Sequence, residues 1–196
     1  MREEVLKVLK MKGKSVLNLN HMPQQIAILR GINVGGKRVL RMAELRELCE
    51  QLDWNNVSTY IQSGNIFFES DTPEIVLEAE LHSAIKERFG YEVPVIVRSK
   101  EELSRVIQKN PFLDTHTDIS TLHLTFLKNQ PTSEAIEKIQ SFDHSPDQFH
   151  IHNRYIFLSI PGKYHQTKIS NQFFEKKLEV ETTTRNWKTV LRLVEL

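Results

Sequence analysis

A single cysteine, Cys49, rules out an internal disulfide and gives no sign of an oxidising compartment. No apolar run approaches the roughly 20 residues needed to cross a bilayer, so a spanning helix is not expected. Nor does one sign of charge dominate, the formal net charge being +1. Residues 1–21 hold five basic residues against two acidic ones, leaving 21 basic and 23 acidic residues in the body. That body is not a general polyanion-seeking surface, and any contact with nucleic acid has to be local. No Ser-His-Asp or Cys-His arrangement and no carboxylate pair stands at a diagnostic spacing, so catalytic residues are unknown and enzyme activity is left open. Cys49 falls on the apolar face of a predicted helix and reads as a small core residue, not a nucleophile.

What is present is ordinary globular material, with 39% hydrophobic residues to build packed cores. The leader, residues 1–21, is interrupted by Lys7, Lys10, Lys12 and Lys14 and lacks the unbroken core of a secretory signal. It is expected to lie outside the fold, with Met22 as the natural beginning and the cytoplasm as the default location. No membrane partner is expected.

Periodicity orders the rest. Residues 25–31 read as a central strand, and Met42, Leu45, Leu48, Cys49 and Leu52 fall at helical spacing. Val57–Ile61 and Ile66–Glu69 flank the hairpin signal Gln62-Ser-Gly-Asn65. Thr72-Pro73 opens a helix striped by Leu77, Leu81, Ile85 and Phe89, Gly90 stops it, and Val93–Val97 is a fourth strand. The order is βαββαβ over residues 22–98. A capping box at Ser99–Glu102 starts a linking helix, with linker residues running to 118.

The pattern then returns over residues 119–196. Strands are predicted at Leu122–Leu127, Gln148–His152, Tyr155–Ile160 and weakly at Val180–Thr183, with helices at Ser133–Ser141 and Lys168–Leu178. A last helix carries Trp187, Val190, Leu191 and Val194 on one face. The fold class is therefore α+β: two tandem ferredoxin-like α/β plait units, a linking helix and a C-terminal helix. In such a split sheet the loop after strand one, the turn between strands two and three, and the entry to strand four lie at one end. Gly31–Arg38, Gln62–Asn65 and Gly90–Val93 are thus expected to share a rim.

Gly31-Ile-Asn-Val-Gly-Gly36-Lys37 fits the spacing of a phosphate-binding P-loop, but Arg38 stands where the magnesium-ligating hydroxyl belongs. The antiparallel context is wrong as well, and a nucleotide triphosphatase is set aside. A weaker reading survives. Arg30, Lys37, Arg38 and Arg41 offer charge-assisted donors, and backbone groups of Gly31, Gly35 and Gly36 could cradle oxygens. Asn33, Gln62, Ser63 and Asn65 would orient the remainder, with Tyr60 able to stack on a ring. The competing reading makes these glycines plain strand-to-helix and hairpin turns.

His150 and His152 share a strand face, and His123 and His144 lie in the same half. No glutamate or cysteine joins them at ligand spacing, so metal is assigned to none of them and no cofactor is implied.

Several runs in order resemble a known family: Arg30–Lys37, Met42–Leu45, Thr59–Asn65, Val93-Pro-Val and Asn110-Pro-Phe112. They are similar to the bacterial family called domain of unknown function 1697, and Thr184-Arg-Asn-Trp187 through Leu193 resembles its carboxyl-terminal signature. The resemblance spans about residues 23–196. It implies two tandem α/β plait domains and no established activity. Arg185 is read as structural within a helix cap, the alternative being a reach to a ligand or an internal carboxylate. The expected function is binding of a phosphate-bearing small molecule or other anion at the rim. The alternatives are an enzyme acting on such a ligand, or a protein or nucleic-acid interaction module.

Overall fold

The structure, a computed structural model, describes residues 22–113 and 118–196. The leader and residues 114–117 of the linker therefore lie outside the described residues. The first run of elements is β1 (Gln24–Leu29), α1 (Met42–Gln51), β2 (Asn55–Tyr60), β3 (Asn65–Glu69), α2 (Glu74–Phe89) and β4 (Val95–Ser99). Helix α3 (Lys100–Ile107) leads to β5 (Leu122–Leu127), α4 (Ser133–Gln140), β6 (Gln148–His152), β7 (Tyr155–Ser159), α5 (Asn171–Leu178) and β8 (Thr182–Asn186). Helix α6 (Trp187–Glu195) closes the chain.

This is a mixed α+β protein with two four-stranded antiparallel sheets and, among the described residues, six α-helices. The sheets are ordered β2-β3-β1-β4 and β6-β7-β5-β8. Strand β1 is buried on both faces, which is why it reads as continuous apolar sequence. Ala27 and Leu29 pack under α1 and α2 with Leu45, Leu48, Leu77, Leu81 and Ile85. Ile26 and Ile28 turn the other way. They join Leu103 and Val106 of α3, Leu124 and Phe126 of β5, Phe157 of β7, and Trp187, Val190 and Leu193 of α6. Both sheets and both extra helices therefore bury one shared cluster. A third cluster lies on the far side of the second sheet, where Ile156 and Leu158 meet Ile139 of α4 and Phe174 of α5.

Three boundaries depart from the sequence reading, each for a local reason. Strand β4 begins at Val95, because Pro94 has no N–H to give a ladder and its carbonyl instead accepts from the Arg30 N–H at 3.0 Å. Helix α5 begins at Asn171 rather than Lys168, since Tyr164–Gln166 is a 3₁₀ turn and the Ser170 hydroxyl caps the Phe173 N–H. The last strand runs to Asn186, past the predicted Thr183, after Glu179 ends α5 in the left-handed region.

One seam between the two sheets is ionic. Arg98, fully buried, donates to the carbonyls of Val97 at 2.5 Å and of Leu127, and lies 3.5 Å from Glu74 and 3.6 Å from Glu78. Arg154 bridges Glu74 at 2.8 Å and Glu102 at 2.9 Å, and the Tyr155 hydroxyl donates to Glu102 at 2.8 Å. Burial pushes the Glu78 carboxyl above the usual range, opposed by the Val97 N–H and the Arg98 charge.

Replacing Arg98 with Met is expected to cost about 3 kcal/mol or more at neutral pH, because Glu78 is left as a buried carboxylate without its cation. The folded state of that variant binds a proton more readily than the unfolded chain, so its stability should rise as pH falls from 7.5 to about 5. Denaturant unfolding of variant and parent at both pH values measures the difference. A variant deficit that is equal at the two pH values would refute this account of Glu78.

Candidate functional site

Loop 31–38 and hairpin 62–65 meet, as expected, and Pro94 lies beside the end of β1. Leu29 at the end of β1 donates from its N–H to the Gly64 carbonyl at 2.8 Å, and the next residue reaches Pro94. Loop 31–40 is closed by Asn33, whose amide donates to the carbonyls of Leu40 and Gln62, each at 2.9 Å, while its Oδ1 accepts from the Leu40 N–H at 2.9 Å. This side chain ties the loop to itself and to the hairpin. At the tip, Val34 and Lys37 form an isolated antiparallel bridge around Gly35 and Gly36, both at positive φ.

The hairpin is held from the other sheet. Arg185 of β8 is buried and donates from Nε to Asn65 Oδ1 at 2.8 Å. Its Nη2 donates to the carbonyls of Leu29 at 2.7 Å and Ser63 at 2.9 Å, with Gly64 at 3.3 Å. Its Nη1 donates to Thr183 Oγ1 and the Thr184 carbonyl, both at 3.0 Å. The helix cap read from Thr184-Arg-Asn-Trp187 is present, with Asn186 accepting from the Thr189 N–H at 2.8 Å at the start of α6, while Arg185 itself lies in β8 and is structural. Burial lowers the Arg185 guanidinium to about 10, which leaves it charged at neutral pH.

These contacts sort the candidate residues. Asn65 is fully buried, and its amide donates to the Tyr60 carbonyl at 3.0 Å and the Ser63 hydroxyl at 3.2 Å. Asn33, Ser63 and Asn65 are therefore engaged in holding the rim together. Arg30 is paired with Glu175 of α5, and burial lowers its guanidinium below the ordinary value. Tyr60 packs against the shared core cluster instead of presenting a free ring. By contrast, the side chains of Lys37, Arg38 and Arg41 make no hydrogen bond or ion pair among the described residues, and Lys37 and Arg41 are exposed, as are Gly35, Gly36 and Gln62. The open groups form one cationic tip.

Other nominated residues are placed as follows. Cys49 is buried, and desolvation pushes its thiol up to about 12. His150 stacks over Phe157 at 6.5 Å and His123 over Tyr164 at 4.8 Å. His144 bonds to the Asp147 carbonyl at 2.5 Å. No helix among the described residues is long and apolar enough to cross a membrane. The importance of Arg98 and Arg154 was missed because their carboxylate partners lie 20 to 80 residues away, beyond any periodic signal.

The arrangement is that of a two-sheet α+β protein with a braced, cationic loop at one rim. The chain belongs to the family described as protein of unknown function (DUF1697), which it matches over residues 22–157. The carboxyl-terminal run Thr184–Leu193 lies beyond that matched span. Among solved structures it is similar to the conserved bacterial protein SP0830 from Streptococcus pneumoniae. The two are 24% identical, the alignment covers 89% of this chain and 98% of that one, and the TM-score is 0.73. At that identity the likeness speaks for the fold alone. No curated protein matches the sequence.

Glycine substitutions should separate the hairpin from the tip. A Cβ at Gly64, where φ is +79°, would stand 2.7 Å from Ile32 Cδ1 and 2.8 Å from Leu29 Cβ, whereas one at Gly36 meets nothing within 4 Å. Gly64→Ala is expected to lose more than the roughly 1–2 kcal/mol of left-handed strain that Gly36→Ala incurs, as read by thermal unfolding. Arg185→Lys should fare no better than Arg185→Met, each losing about 3 kcal/mol. An ammonium cannot span the Asn65 oxygen and three carbonyls as the planar guanidinium does. Full stability in the lysine variant would show that charge alone suffices.

Proposed function

We propose that this protein binds an anionic or phosphate-bearing ligand at the rim made by loop 31–38 and hairpin 62–65. The observation that carries the reading is the division of labour among its polar groups. Neutral donors are engaged in bracing the loops, while Lys37, Arg38 and the neighbouring Arg41 have no side-chain hydrogen bond or ion pair among the described residues, beside an open glycine turn. A braced cationic turn costs little reorganisation when an anion arrives. In this reading Lys37 and Arg38 contact the ligand, backbone N–H groups at Gly35 and Gly36 add polar contacts, and the exposed Gln62 amide completes the set. Asn33, Ser63 and Asn65 hold the geometry, and Arg30 contributes charge already shared with Glu175.

The same reading takes each sheet with its two helices as a ferredoxin-like plait, over residues 22–98 and 119–196, on the support of the strand orders β2-β3-β1-β4 and β6-β7-β5-β8. It places the protein in the cytoplasm, on the support of one buried, unpaired cysteine. No reaction is assigned, since the rim offers donors but no base or nucleophile. A second reading, an interaction module, draws on three apolar side chains beside the cations: Val34, Val39 and Ile61 are 66%, 56% and 46% exposed.

Sodium pyrophosphate at low ionic strength serves as a probe. It should raise the melting temperature of the parent, by about 2–4 °C for each kcal/mol of binding free energy. Lys37→Glu combined with Arg38→Glu should abolish the rise while leaving the pyrophosphate-free melting temperature close to the parent's. A double variant that responds as the parent does would falsify this assignment.

A further inference from the structure

The surface around Arg30 carries two charges of opposite sign, side by side. On one flank Arg38 bends back so that its Nη1 would lie 3.5 Å from a Cβ at Gly31, with Lys37 and Arg41 further along the loop. On the other flank, Arg30, Glu175, Glu179, Val180 and Glu181 line one open depression at the end of α5. Arg30 lies within electrostatic reach of both Arg38 and Glu181. Glu175 is taken by Arg30 and Glu181 is bonded to Lys128 at 2.8 Å, while Glu179 is exposed and makes no side-chain ion pair among the described residues. Apolar side chains Val34 and Val39 stand exposed on the loop between its cations.

Such a patch discriminates among anionic partners. A long polyanion laid over the cationic loop meets the repulsion of Glu179 and Glu181 beside it. Loop 31–40 itself carries no aromatic ring to stack on a nucleic-acid base, and Tyr60 is half-buried against the shared core. Under a two-fold rotation, however, adjacent basic and acidic halves become complementary, each loop meeting the other subunit's acidic edge. The two valines of each loop then fill the space between the ion pairs, out of water. Charge complementarity of this kind chiefly sets encounter rate and register, so the association is salt-sensitive.

We propose that the occupant of the cationic loop is the acidic edge of a second copy of this chain, Glu179 and Glu181 of each subunit facing Lys37, Arg38 and Arg41 of the other. The inference rests on the reading that this loop takes an anionic partner, and it names that partner. The reciprocity doubles every pairing, so a small surface gains two sets of ion pairs.

Sedimentation velocity of the full chain tests this without any variant. The parent should self-associate as concentration rises, and moving from about 0.05 M to about 0.5 M salt should weaken the association at least about tenfold. Two charge-reversed proteins sharpen the test: Lys37→Glu with Arg38→Glu, and Glu179→Lys with Glu181→Lys. Each alone should be monomeric, through like-charge facing, and an equimolar mixture should recover a dimer containing one of each. A parent that stays monomeric, a dimer indifferent to salt, or a mixture that fails to pair would overturn the proposal. So would a monomer that binds a single-stranded oligonucleotide with steep salt dependence, which would hand the loop to nucleic acid. Pyrophosphate separates the two levels. If it stabilises a strictly monomeric parent, the self-association falls and the anion site stands. If neither pyrophosphate nor charge reversal has any effect, the rim reading falls with it.

Discussion

The structure depends most on one buried cation, Arg185, that has no carboxylate partner among the described residues. Arg185 reaches from β8 of the second sheet into the first and meets main-chain oxygens at the end of β1 and in the β2–β3 turn. A buried guanidinium is costly unless its donors are satisfied, and here Nε and both terminal nitrogens have acceptors. Because four of those acceptors are backbone carbonyls, the contacts fix chain position and not merely side-chain packing. Loop 31–40 inherits that position through Asn33, which hangs it on the Gln62 carbonyl. The cationic tip is thus held in place by a residue of the opposite half of the chain.

The Arg98 and Arg185 contacts between the halves have different chemistry. Around Arg98 the seam contains the carboxylates of Glu74, Glu78 and Glu102 and the Tyr155 hydroxyl, and burial raises the Glu78 carboxyl above its usual range. Around Arg185 the acceptors are carbonyls, a hydroxyl and an amide, none of which titrates. Protonation of Glu78 therefore acts on the Arg98 seam, whereas the acceptors of Arg185 include no acid to protonate.

Much of the fold was legible because it follows from local periodicity. The apolar runs of β1, β5 and β7 and the helical stripes of α1, α2 and α6 each announce a buried face within ten or so residues. Convergence of the loops near Gly31 and Gln62 was also legible, as a consequence of strand order. What the sequence did not reveal was which polar groups would be consumed. Asn65 and Ser63 resemble ligand donors by type, yet Asn65 is committed to Arg185, 120 residues away, and no spacing rule connects them. The ends of β4 and β8 were misplaced for the related reason that a proline without N–H and a left-handed Glu179 act through three-dimensional pairing. Side-chain type locates a rim; only the hydrogen-bond partners tell scaffold from contact surface.

The stretch by which the family is recognised stops at residue 157, midway along β7 (Tyr155–Ser159). Conserved pattern and mechanical unit therefore do not coincide in this chain. A fragment cut at that limit would keep Gly31–Arg38 and the whole hairpin, yet would lose the strand that carries Arg185 and the helix that supplies Trp187, Val190 and Leu193 to the shared cluster. Its rim carbonyls would face water where a guanidinium belongs, and its inner sheet would be uncovered. For anyone trimming, tagging or fusing this protein, the last dozen residues are part of the amino-terminal half.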